Sequence, residues 1–102
     1  MGTRLSLRKL LTIVCEAELE ASIVRDLKAL GAKGYTITDA RGYGTHGTRD
    51  AAWPSSANIR IEVLCGEESA LAIIAHLEER YYADYGIVSF LVDAQVLRQD
   101  KF

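Results

Sequence analysis

The chain has 102 residues, 49% of them apolar and 25% charged, with a formal net charge of −2. This composition belongs to one globular domain and excludes a largely disordered chain. The slightly negative charge gives no overall attraction to nucleic acid or anionic lipid. No apolar run reaches the roughly 18 residues of a membrane span.

In chain order, residues 1–8 are polar and basic and read as a short lead-in. Leu10–Cys15 is apolar and rich in β-branched residues, as in a buried strand. Leu19, Ile23, Leu27 and Leu30 then recur at helical spacing, and Gly31 is placed to stop that helix. Tyr35–Asp39 reads as a second strand. Residues 42–58 carry Gly42, Gly44, Gly47, Trp53 and the only proline, Pro54, and read as a long loop. Ile59, Ile61, Val63 and Cys65 alternate with Arg60 and Glu62, as in a half-buried strand. Leu71, Ile74, Leu77 and Tyr81 mark a second helix, and Ile87–Val96 a last strand.

This order, βαβ, a long loop, then βαβ, predicts an α+β fold of the ferredoxin-like βαββαβ type, a single domain over 1–102. Two helices cover one face of a four-stranded antiparallel sheet and leave the other bare. The first and last strands are apolar on both faces: Leu11 and Ile13 alternate with Leu10 and Val14, and Val88, Phe90 and Val92 with Ile87 and Leu91. The bare face is therefore expected to be covered by self-association.

Chemistry concentrates in Arg41–Arg49, RGYGTHGTR. Glycines let backbone N–H groups approach an anion, and arginine clamps phosphate bidentately. The segment reads as a phosphate-binding loop or as a plain polar loop, and it is neither a P-loop nor a dinucleotide fingerprint. Ala83–Gly86 is either a simple helix-to-strand turn, with Gly86 supplying positive φ, or a second wall of the same site. His46 and His76 have no companions at metal-ligand spacing, so no metal is expected. Cys15 and Cys65 read as small buried apolar residues, which suits a cytoplasmic location. Trp53 either anchors a partner or packs on its own domain.

The stretches AKGYTITDARGYGTHGTR, ANIRIEVL and LEERYYADYGIVSFLVDAQVL together resemble the PII-like signalling proteins, specifically the SbtB type associated with the bicarbonate transporter SbtA. The resemblance spans Leu10–Leu97. It implies a cytoplasmic homotrimer with adenine nucleotides (cyclic AMP, AMP, ADP, ATP) in clefts between subunits. It also implies a mobile T-loop, here roughly residues 43–57, that contacts the membrane transporter. Carried over by position, Gly42, Gly44, Thr45 and Arg49 would hold the phosphate from the loop base. Asn58, Arg60 and Glu62 would line the cleft, and Gly86 would offer its N–H. His46 and Trp53 would face the partner. The chain ends DKF, without the cysteine-bearing hairpin of some SbtB-type proteins, which argues against redox switching and nucleotide hydrolysis. The rival expectation is a weak metal-assisted nucleotide hydrolase, for which Asp39, Asp50 and Glu62 are the available carboxylates.

Overall fold

The computed structural model describes residues 4–44, 47–48 and 58–102. Strand β1 (Ser6–Glu16) leads through a 3-10 turn (Ala17–Leu19) into helix α1 (Glu20–Ala29). Strand β2 (Thr36–Ala40) follows, then the two-residue strands β3 (Tyr43–Gly44) and β4 (Gly47–Thr48). Strand β5 (Asn58–Cys65), helix α2 (Glu67–Arg80) and strand β6 (Val88–Val96) complete the fold. The main sheet has the order β2-β5-β1-β6, with every neighbouring pair antiparallel. Each helix therefore links two strands with a third between them, the ferredoxin-like arrangement.

Two segments differ from expectation. Ser6–Arg8, expected in the lead-in, belongs to β1 together with Lys9. Its polar residues have partners on and just beyond β6: Lys9 stands opposite Asp93 and bonds it at 2.5 Å, and Ser6 Oγ donates to Gln99 Oε1 at 2.6 Å. A strand can carry charge when opposite charges face it across the ladder. Inside the expected long loop, β3 and β4 form a small ladder, Tyr43 opposite Thr48 and Gly44 opposite Gly47. Thr45, His46, Arg49, Asp50 and Trp53 lie outside the described residues.

Register divides the sheet into two faces. Leu11, Ile13 and Cys15 of β1 pair with Val63, Ile61 and Ile59 of β5, and all six are buried under the helices. Ile23 and Leu27 of α1, and Ile73 and Leu77 of α2, close this core. Both cysteines belong to it, and burial pushes the Cys65 thiol pKa up, the opposite of an activated nucleophile.

Helix α1 ends as its glycine predicts. Gly31 has φ 99°, Ala32 N–H donates to Leu27 C=O (3.0 Å) and Gly31 N–H to Lys28 C=O (3.4 Å). This is the Schellman pattern, in which glycine at C′ avoids the left-handed penalty. A Cβ on Gly31 would also stand 2.9 Å from Ser69 Oγ. Gly31→Ala is therefore expected to cost about 1–2 kcal/mol of stability, the left-handed penalty for an L residue. Urea unfolding would show this as a lower midpoint with unchanged slope; an unshifted midpoint would mean the helix end relaxes freely.

The two helices are tied by a polar cluster. Tyr81 OH donates to Asp26 Oδ2 at 2.6 Å, and His76 Nε2 lies 2.9 Å from the same oxygen. Burial by itself raises the Asp26 pKa, but hydrogen bonds from Tyr81, His76 and Arg25 outweigh it and hold the carboxyl below its ordinary value. His76 is thus a half-buried packing residue whose partner is Asp26.

Candidate functional site

Paired strand residues share a face, so the register sorts the sequence-predicted site residues directly. Asn58, Arg60 and Glu62 alternate along β5 and all point away from the helices, opposite Glu16, Val14 and Thr12 of β1. They form one polar row on the open face, with Arg60 bonded to Glu62 at 3.3 Å. Asn58 is buried although polar. Asp39, by contrast, pairs with the core residue Ile59 and so lies on the helix face. The two described carboxylates of the hydrolase reading therefore point to opposite sides of the sheet. No cluster of three or more His, Cys, Asp or Glu side chains suited to a metal occurs among the described residues.

One end of the sheet gathers the rest. Ala40 at the end of β2, Asn58 at the start of β5 and Glu16 at the end of β1 form a single row across three strands. Gly42 lies just beyond Ala40, exposed, with open space where a Cβ would be. No contact among the described residues therefore demands glycine at position 42. On the far side of the row Gly86 precedes β6, and its N–H donates to Glu16 Oε2 at 3.0 Å.

The backbone at Gly86 corrects one reading of this turn, that of a glycine at positive φ. Among the described residues only Gly31 is a glycine of positive φ, so the turn does not need glycine for left-handed backbone. The Gly86 N–H is also directed at a carboxylate of its own chain. Glu16 escaped the sequence reading because it sits 70 residues from Gly86; only the β1–β6 ladder brings them together. Beside this turn Tyr82 and Ser89 share a hydroxyl–hydroxyl hydrogen bond, which ties the turn to β6.

The two glycine segments leave opposite edges of the sheet, β2 and β6, with two strands between. At ~4.8 Å per strand spacing they are ~14 Å apart at the sheet. Within one chain, Gly42 and Gly86 do not converge on a common phosphate-sized space.

The open face is apolar around this polar row. Val88, Phe90 and Val92 of β6 are 52%, 45% and 47% exposed, and they stand opposite Val14, Thr12 and Leu10. The Thr12 hydroxyl, at the centre of this face, is buried with no hydrogen-bond partner among the described residues. No helix among the described residues is long and apolar enough to cross a membrane.

Comparison with known proteins gives a consistent result. Residues 8–101 match the family model described as nitrogen regulatory protein P-II. A PII-like signaling protein from Thermus thermophilus is 43% identical, with TM-score 0.84 over 98% of this chain and 99% of that one. CPII from Thiomonas intermedia K12, solved with ADP and bicarbonate, is 28% identical, with TM-score 0.88 over 99% of each chain. The same protein solved with ADP, AMP and bicarbonate gives TM-score 0.87 at 28% identity, covering 99% of this chain and 98% of that one.

Proposed function

Because the chain belongs to the nitrogen regulatory protein P-II family, we propose that it is a homotrimeric signalling protein that binds adenine nucleotides between its subunits and is not an enzyme. The observation that carries this reading is the open sheet face. A monomer would leave Val88, Phe90 and Val92 in water. Contiguous exposed apolar surface marks an interface. Neighbouring copies that cover the face remove this surface from water.

The same assembly suits the divided site. Gly42 and Gly86 stand at opposite edges of one sheet, so a cleft completed by a second chain supports their joint use better than one chain alone. Asn58, Arg60 and Glu62 line that cleft, with Gly44, Thr45 and Arg49 at the loop base. The ligands are cyclic AMP, AMP, ADP and ATP, a class supported by the ADP and AMP bound to CPII. The bicarbonate bound to CPII supports, in turn, a role in bicarbonate uptake. In that role the T-loop, residues 43–57 with His46 and Trp53, grips the membrane transporter SbtA from the cytoplasm. What supports a non-catalytic role is the placement of Asp39 and Glu62 on opposite faces.

Nucleotide acts on this grip by population shift: it favours the loop shapes that leave the phosphate site intact. The expected coupling is about 1–3 kcal/mol, and the transporter must change nucleotide affinity by the same factor. Hydrogen exchange over residues 43–57 should slow at the loop base on nucleotide saturation. Transporter retention in a pull-down should change in parallel. Exchange and retention that both ignore saturating nucleotide would rule out a nucleotide-read switch.

A further inference from the structure

The hydrogen bond from Gly86 N–H to Glu16 Oε2 places a negative charge where the proposed site expects phosphate. A backbone amide offers one proton. It serves a carboxylate or a phosphate oxygen, and two anions brought to the same N–H repel at contact distance. Glu16 is half-buried at the last position of β1, opposite Asn58, so it belongs to the wall of the cleft rather than to open solvent. Gly86 is exposed, so an incoming ligand can reach it.

We infer that Glu16 is a resident anion at the Gly86 amide, displaced when nucleotide binds, and that its charge sets how strongly the site penalises highly charged ligands. This rests on the nucleotide-binding reading above. In the empty protein the carboxylate keeps the Gly86 N–H satisfied. On binding, the phosphate takes that N–H and the Glu16 side chain swings away, but its charge stays within a few ångströms. Each additional ligand charge meets that residual repulsion. Glu16 is thereby a specificity-determining residue that favours nucleotides of low charge.

Glu16→Gln keeps the shape and an acceptor oxygen for Gly86 but removes the charge. In calorimetric titrations its effect should be graded by ligand charge. Adenosine affinity should stay unchanged, AMP should bind about threefold tighter and ADP about tenfold tighter, the scale of one charge acting over a few ångströms in a watery cleft. Wild-type protein that binds none of the three ligands would overturn the nucleotide reading, and this inference with it. Wild-type protein that binds them, with Glu16→Gln altering all three equally or none, would overturn the inference alone. Wild-type protein offers a second measurement should the variant fold poorly. The carboxyl carbon resonance of Glu16 should move when ADP saturates the protein, and a resonance that stays in place would show that Glu16 is not displaced.

Discussion

Phe90→Asp should leave the protein monomeric yet folded. Phe90 sits at the middle of the open face, between Val88 and Val92 on β6 and opposite Thr12 on β1. It is 45% exposed in the single chain and takes no part in the buried cluster under the helices. A carboxylate there meets water in the monomer and costs the fold little. In an assembly that covers this face, the same carboxylate is a buried charge without a partner, a cost on the order of 3–5 kcal/mol per chain. Repeated at each subunit, this cost opposes assembly. Light scattering should report a trimer mass for the wild type and a monomer mass for the variant, with cooperative thermal unfolding retained. Leu71→Asp, at a 52% exposed position on α2, is the control and should remain trimeric. A trimeric Phe90→Asp protein would mean that the open face is not the subunit interface.

The second large effect is expected at Arg49. In sequence, Arg49 follows Thr48, the last residue of β4. If its guanidinium clamps the nucleotide phosphate, Arg49→Ala should weaken ADP binding by about 1.5–3 kcal/mol, the range for a hydrogen bond to a charged group. That is roughly a 10- to 150-fold rise in Kd. Arg49→Lys should recover only part, since an ammonium lacks the planar fork that meets two phosphate oxygens at once. Adenosine, which has no phosphate, should bind both variants as it binds the wild type. Unchanged ADP affinity in Arg49→Ala would move the phosphate contact to another cation.

Much of the fold was legible because local signals agreed with the tertiary arrangement. The alternation of Ile59, Ile61 and Val63 with Arg60 and Glu62 separated the two faces of β5 before any register was known. The Leu19–Leu30 periodicity and Gly31 marked a helix that ends in a glycine of φ 99°. The doubly apolar β6 foretold an open face lined by Val88, Phe90 and Val92. Signals that depend on distant partners were illegible. Ser6–Arg8 looked like part of a polar lead-in because Gln99, which pairs Ser6 and Arg8, lies more than ninety residues away. Asp39 and Glu62 read as able to share a phosphate, since sequence does not show that β2–β5 register puts them on opposite faces. Gly86 suggested a left-handed turn or a wall of the phosphate site by residue type alone, and no local signal showed that its N–H would bond Glu16 across the β1–β6 end of the sheet.

Glycine thus marks two different physical needs in this chain. At Gly31 the backbone requires it, and a Cβ would also displace the Ser69 hydroxyl 2.9 Å away. At Gly42 neither φ nor packing among the described residues requires it. A position that tolerates a side chain within its own chain, yet stands at the end of the sheet that gathers Asn58, Glu16 and Gly86, is suited to close approach by a ligand.

The most direct test of the account is a calorimetric titration of the wild-type protein with cyclic AMP, AMP, ADP and ATP, with guanosine diphosphate as the contrast. Saturable binding of the adenine nucleotides at one per chain, with no heat from the guanine nucleotide, is the predicted result. Absence of binding by every adenine nucleotide up to millimolar concentration would contradict it.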